Sequence, residues 1–414
     1  MRALFLCYRG NPFCGGQGIY LYHLTRELAA LGVEIDVIVG PPYPDPLEGW
    51  ADVYKTENLN IWSIRTRHFG PDKLQRVLSP WNFVDYFLTR MHVFGEMETF
   101  SGRAFFKLRD LLRTRRYDII HDVQCLGWGL VPMRGYGIPI VTTVHHPLTR
   151  DRVADFTHDK SFWELMTTVL FYPLTMQRFV INRLDRVITS STEGAEELGR
   201  AFGVRRDRIS VVYNGMDVEM FRNDGSEREP DTLLFVGNTE DHKKGLIYLF
   251  EAMTLLPERI TLTIVDEGPP VRTSAFNMIK RFGIEDRVRF TGKVSLDRLV
   301  NLYSSKAVLV MSSLYEGFGL PAAEAMACET PVVVTAVGSL PEVVAHNETG
   351  LIVPPENPRA LADAIMMVLK DKKLQRSMGK KGRMRTVENF AWPVAAQNTL
   401  AVYEDVIRAY RRAS

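Results

Sequence analysis

Short apolar runs that read as buried strands recur along this chain, with segments of helical period between them. That alternation is the mark of parallel sheets covered on both faces by helices, so the fold class is α/β. In the first half the runs are Ala3–Tyr8, Glu34–Val39, Ile119–His121, Ile140–Val144 and Arg186–Thr189. In the second they are Thr232–Val236, Thr261–Val265, Val288–Thr291, Val308–Met311, Val332–Thr335 and Gly350–Val353. Tyr20, Leu24, Leu28 and Leu31 share one helical face and stop at Gly32, a residue suited to closing a helix.

Around Asn214 to Pro230 the pattern breaks into polar sequence with Gly and Pro, which reads as an interdomain linker. The 414 residues therefore divide into an α/β domain over 1–213, a linker over 214–231, a second α/β domain over 232–390 and a final helix over 391–414. Lys plus Arg number 51 against 49 Asp plus Glu, so no global field draws nucleic acid, and any anion site must be local. Cys7, Cys14, Cys125 and Cys328 are dispersed without metal or disulfide spacing, as reduced thiols of a cytoplasmic protein would be. The apolar run after Met1 and Arg2 is too short for a signal peptide, and Leu165–Met176 is too short to span a bilayer.

The sharpest local feature is Leu314-Tyr-Glu-Gly-Phe-Gly-Leu-Pro-Ala-Ala-Glu324, which follows the strand Val308–Met311. Pro321 suits the first turn of a helix, so Glu316, Gly317, Phe318, Gly319 and Leu320 form the loop that feeds it, and Glu324 lies about one turn in. Loops at the carboxyl ends of strands are where open α/β sheets bind ligands, and helix-end amides beside glycines suit phosphate. The carboxylates suit hydroxyls instead, a sugar at Glu316 and a ribose at Glu324. A Gly-rich turn with a capping acid is the plain structural alternative. Lys243 and Lys244 follow the strand Thr232–Val236 and supply the cations a diphosphate needs, unless they are merely solvated. Gly15 and Gly16 open the first helix without forming G-x-G-x-x-G, so the dehydrogenase fingerprint is absent, and tight-turn glycines without a ligand remain the alternative. His145 ends the strand Ile140–Val144, where an imidazole can reach a reacting sugar or serve structure alone, and Asp122 is a weaker lining candidate. No ligand set for a metal is visible.

Glu316 through Glu324 resembles the E-x7-E motif of retaining GT-B glycosyltransferases of family 4. Asn214-Gly-Met-Asp217 with Phe221, Glu324-Ala-Met-Ala-Cys-Glu-Thr-Pro-Val, Gly338-Ser-Leu-Pro-Glu-Val-Val and Thr349-Gly-Leu-Ile-Val-Pro-Pro are similar to further motifs of that family, in order. The resemblance implies two Rossmann-like domains, the first binding an acceptor and the second a nucleotide sugar, with the last helix crossing back to the first domain. It implies Glu316 on the donor sugar, Glu324 on the ribose, Gly319 and Leu320 on the diphosphate, and Lys244 on its oxygens. Gly16 would approach the diphosphate and His145 the sugar near its reacting carbon. Asn238, Asp266 and Glu329 stand where the family has Arg, Gly and Gly, which bears on the diphosphate clamp and the base pocket.

The activity so implied is metal-independent, cofactor-free, retaining hexosyl transfer from a nucleotide diphosphate sugar, UDP-linked before GDP-mannose, to a sugar, lipid-linked or other hydroxyl acceptor. Retaining hydrolases that form covalent adducts hold two carboxyls about 5 Å apart. Here one glutamate is assigned to a ribose, so no adduct is expected. A nucleotide-sugar epimerase and a catalytically silent sugar-nucleotide-binding subunit are the competing readings. Residues 81–116 interleave aromatic and basic side chains and read either as a peripheral contact with the inner face of a membrane or as a solvated helix face.

Overall fold

Two wholly parallel sheets carry the chain in this computed structural model, which describes residues 1–11, 16–44, 47, 49–58, 79–90, 95–145, 173–266 and 274–413, the side chains of 89, 90 and 413 excepted. The first sheet holds β1 (Arg2–Cys7), β2 (Glu34–Val39), β3 (Ala51–Lys55), β4 (Ile119–Val123), β5 (Ile140–Thr143), β6 (Arg186–Thr189) and β7 (Ile209–Val211), in the order β3-β2-β1-β4-β5-β6-β7. The second holds β8 (Glu229–Val236), β9 (Thr261–Val265), β10 (Val288–Phe290), β11 (Lys306–Met311), β12 (Val332–Thr335) and β13 (Gly350–Val353), in the order β10-β9-β8-β11-β12-β13. Each order winds outward from its first strand and then reverses, between β1 and β4 in one sheet and between β8 and β11 in the other. Such reversals open a crevice at the strands' carboxyl ends.

The central strands are continuous apolar runs because both of their faces are covered. Leu233 and Phe235 pack with Leu249 and Ile365 in one cluster, while the alternate residue Leu234 joins Leu309, Ala322 and Phe390 in the other. The edge strands β3 and β7 have no such run. In β3 every residue is at least partly exposed, so an edge needs no apolar pattern to pair. Strand β8 begins at Glu229, three residues before the apolar stretch, because Glu229 reaches across to the Lys306 ammonium on β11.

Five helices matter below: α1 (Gly16–Ala30), α2 (Pro80–Arg90), α3 (Glu96–Leu111), α4 (Leu320–Ala327) and α5 (Trp392–Ala413). The chain forms two compact units, one of Met1–Val212 together with the residues from Ala395 on, the other of Tyr213–Val394. Residues that read as a linker are fastened to the second unit. The Met216 amide donates to Phe390 O at 2.7 Å, and the Asp224 amide to the Ser304 hydroxyl at 3.2 Å. Among the described residues no helix is long and apolar enough to cross a membrane.

Candidate functional site

Beyond β8 the chain turns at Gly237, whose φ of 154° is left-handed and whose amide donates to Val265 O at 3.0 Å. A short turn over His242–Lys244 follows, capped by the Asp241 carboxylate, which accepts the Lys243 amide at 3.0 Å. Gly245 lies directly on the end of β11. A Cβ there would stand 2.1 Å from Ser312 O, and its φ is 59°. Two further bonds fix the turn: the Leu314 amide donates to Lys243 O at 2.7 Å, and the Ser312 hydroxyl to Lys244 O at 3.1 Å. Lys244 Nζ thereby comes within 2.8 Å of Glu316 Oε2, with both side chains largely buried. Two residues 72 positions apart meet at the point where the strand order reverses.

The loop carrying Glu316 is held from below. Gly338, at φ 52°, lies so close that a Cβ would stand 1.9 Å from Glu316 O, and the Ser339 amide donates to that oxygen at 3.4 Å. Gly319 takes φ 89° to start α4, as Pro321 predicts, and nothing stands within 4 Å of where a Gly317 Cβ would be. The Phe318 ring is buried edge-on against Phe390, so it anchors the loop and offers a ligand only its backbone. The amides of Ala322 and Ala323 both donate to Gly319 O, and Pro321 has none, which leaves Gly319 and Leu320 as the amides not spent in that turn. Glu324 accepts the Tyr303 hydroxyl at 2.7 Å. Burial pushes its carboxyl up to about 6, and the Tyr303 bond opposes that rise. Among the described residues the Ser313 and Ser339 hydroxyls beside this loop are buried without a hydrogen-bond partner.

Gly16 and His145 belong to the first unit, and Gly15 lies outside the described residues. Gly16 is the first residue of α1, with open space where a Cβ would be. One turn on, the Tyr20 ring meets the His145 ring edge-on at 4.6 Å. The His145 amide donates to Gln124 Oε1 at 2.9 Å. Gln124 and Leu126 hold left-handed φ values of 51° and 50°, and the Asp122 carboxylate makes that turn possible. It accepts the amides of Cys125 and Leu126 at 3.1 Å and the Thr142 hydroxyl at 2.8 Å. Asp122 is fully buried, which makes it a builder of the loop rather than a lining residue.

Of the positions the motifs single out, those of the second unit thus form one cluster and those of the first another. Sequence reasoning missed Tyr303, Gly245, Ser312 and Gln124, which act through contacts far apart in the chain. Only Gly245, a glycine directly after the two lysines, left a local signal. Among the described residues no group of three His, Cys, Asp or Glu side chains could hold a metal ion.

The model of Glycosyltransferase Family 4 matches residues 14–220, and that of Glycosyl transferases group 1 matches residues 217–385. Over 416 residues, 98% of either chain, the sequence is 34% identical to an MMP alpha-(1->4)-mannosyltransferase of Mycolicibacterium hassiacum. This chain is a family 4 glycosyltransferase. The glycosyltransferase is also 26% identical to a D-inositol 3-phosphate glycosyltransferase of Kribbella flavida, over 95% of its own length and 91% of that protein's. Its fold is GT-B. A sucrose-phosphate synthase from Thermosynechococcus elongatus superposes with a TM-score of 0.71 at 24% identity, covering 99% and 100% of the two chains. Anabaena HepE in complex with UDP-glucose does so with a TM-score of 0.67 at 18% identity, covering 98% and 100%.

The three departures from the family motifs have structural readings in this glycosyltransferase. Asn238 is exposed and its side chain accepts the Glu240 amide at 2.9 Å, an Asx turn at the mouth of β8. Asp266 accepts the Thr239 amide at 3.1 Å and also the Thr239 hydroxyl, tying down the same loop. Glu329 lies two residues past the far end of α4, whose eight residues span about 12 Å from the Glu316 loop. Its φ of 61° explains why a glycine suits the position.

Proposed function

We propose that the protein is a retaining hexosyltransferase that takes its sugar from a nucleotide diphosphate donor held by the second unit and passes it to a hydroxyl of a glycan acceptor. The observation that carries this reading is the Lys244–Glu316 pair at the crevice between β8 and β11. Breaking the anomeric C–O bond leaves negative charge on the departing diphosphate. Lys244 has three donors, so it can keep Glu316 in place and still bind a phosphate oxygen. Lys243 and the amides of Gly319 and Leu320 add to that neutralisation. Glu316, fixed by the lysine, accepts hydroxyls of the donor sugar, and Glu324 accepts those of the ribose.

With Glu316 given to the hydroxyls of the donor sugar and Glu324 to those of the ribose, neither carboxylate is assigned to the anomeric carbon. In this reading the acceptor oxygen attacks from the leaving-group side, and its proton passes to a phosphate oxygen. Since lysines supply the positive charge, activity should survive EDTA. Mannose is favoured as the hexose because the relative at 34% identity is named a mannosyltransferase. A panel of GDP-mannose, UDP-glucose and other sugar nucleotides, with anomeric NMR of the product, tests the reading. An inverted product would remove the retaining mechanism, and consumption of donor without an acceptor-linked product would favour an epimerase.

A further inference from the structure

Helix α2 is turned inside out. Its Asn82 and Asp85 are buried while Phe83, Val84 and Phe87 face solvent, the reverse of an ordinary surface helix. The inversion is locked by Arg103 of α3, whose Nη2 donates to Asn82 Oδ1 and Asp85 Oδ2, both at 2.8 Å, and by the Thr99 hydroxyl, which also donates to Asp85. A buried ion pair is costly unless its geometry is fixed, so α2 is held in this orientation rather than left to roll.

Beside it a groove of about 370 Å³ runs between α2, α3 and the loop after β4. Its walls are aromatic: Trp81 and Phe106 on one side, 6.2 Å apart between ring centroids, and Trp128 on the other. Two glycines seat the tryptophans. Trp81 lies against Gly102, where a Cβ would come within 2.5 Å of the indole, and Gly129 packs on the Ser101 backbone with its amide donating to the Ser101 hydroxyl at 3.0 Å. Trp128 and Phe106 remain exposed. Glu98 stands in the same groove, partly buried, and among the described residues no hydrogen bond or ion pair reaches its carboxylate. Burial alone raises its pKa.

We infer that this groove binds a segment of the acceptor oligosaccharide, with pyranose rings lying on the Trp81, Phe106 and Trp128 faces and their hydroxyls donating to Glu98. Sugar rings carry apolar C–H faces and hydroxyl edges, which is the pairing that aromatic walls with one convergent acceptor satisfy. An acyl chain would leave a desolvated carboxylate with no partner. The inference rests on the reading of the protein as a transferase that acts on glycans, and it makes the acceptor an oligosaccharide that is gripped away from its reacting hydroxyl.

The test uses the full chain and two probes, α-(1→4)-linked mannotetraose and phosphatidylglycerol vesicles. Mannotetraose is titrated by tryptophan fluorescence and saturation-transfer NMR against wild type, Glu98→Leu, Trp128→Ala and, outside the groove, Phe83→Ser. Vesicle sedimentation is measured on the same four proteins, and sugar-nucleotide binding is followed by calorimetry throughout. The groove reading expects tetraose affinity to fall at least tenfold in Glu98→Leu and Trp128→Ala, to hold in Phe83→Ser, and donor affinity to hold in all. Donor binding without tetraose binding, or tetraose binding indifferent to both groove variants, overturns it while leaving the proposed function standing. Vesicle binding that Glu98→Leu strengthens and Trp128→Ala abolishes overturns it in favour of a lipid contact. Loss of donor binding in wild type would instead strike the proposed function itself.

Discussion

Glu324 holds its proton to a pH at which a solvated glutamate has lost it, and this has opposite consequences for stability and for binding. Its folded-state pKa, about 6, lies above the ordinary 4.5, so the folded protein binds the extra proton between those values. Stability therefore rises as pH falls through that window, and above pH 6 the ionised carboxylate weighs on the fold. Glu324→Gln, which can still accept the Tyr303 hydroxyl, should be more stable than wild type at pH 8 and converge with it near pH 4.5 in urea unfolding. The ionised form accepts ribose hydroxyls more strongly than the neutral acid does, so the donor KM of wild type should climb below pH 6, and Glu324→Gln should show a raised KM without that inflection. Glu316 meets Lys244 at 2.8 Å as half of an ion pair. Glu316→Gln should lower kcat by about 100-fold or more, the scale on which one preorganised electrostatic group contributes, with an unchanged circular dichroism spectrum. Near-normal turnover would take Glu316 out of the mechanism. Both glutamates were legible because their spacing around Pro321 fixes loop and helix locally. Tyr303 was not, since nothing near it in the chain tells that its hydroxyl ends on Glu324.

At the level of strands and turns, what could be read depended on burial. Interior strands such as β2, β9 and β12 coincide with their apolar runs because both faces must be covered, whereas of the four edge strands β10 and β13 carry a run and β3 and β7 do not. The turns that build the site hang on backbone contacts. Gly245 is the clearest case, since a Cβ would meet Ser312 O at 2.1 Å in a left-handed backbone. Gly245→Ala should push the Lys243–Lys244 turn off β11 and lower kcat/KM for the donor more than it lowers stability. A variant with ordinary kcat/KM would show that the lysines need no such seat. Glu329 presents the converse, a side chain in a left-handed position at φ 61°. Glu329→Gly should stabilise the second unit by about 1 kcal/mol, partly offset by the greater chain entropy of glycine, and leave turnover unchanged because the residue sits at the far end of α4. The midpoint of urea unfolding and a steady-state assay check both halves of that statement.

Over the whole molecule, the division into two α/β halves follows from the repeated alternation of strands and helices, yet the sequence periodicity of the last segment does not say which half it serves. The contacts do. From Ala395 on the chain belongs to the first unit, although it is 182 residues removed from Val212 and follows directly on the second. Along α5 the residues Ala396, Thr399, Tyr403 and Val406 are buried, and the Tyr403 hydroxyl bonds His121 Nδ1 on β4. His121 Nε2 in turn meets the Thr143 hydroxyl at 2.7 Å, and that hydroxyl meets Tyr20 at 3.0 Å. Burial holds His121 neutral, its pKa pushed down to about 3, so the loss of a partner cannot be made good by protonation near neutral pH. Each buried side chain the size of Val or larger contributes ~1.5–3 kcal/mol, and an unsatisfied buried nitrogen costs ~1–3 kcal/mol. A domain's whole stability is ~5–15 kcal/mol, so deleting 395–414 should unfold or nearly unfold the first unit while the second keeps its core. Hydrogen exchange read by mass spectrometry should show β1, β4 and β5 losing protection and β8, β11 and β12 retaining it. Tyr403→Phe, which removes one hydroxyl and keeps the packing, should give the same pattern at a cost of about 1–2 kcal/mol. Equal loss of protection in both sheets would mean that this helix supports the molecule as a whole rather than the half to which its side chains are bound.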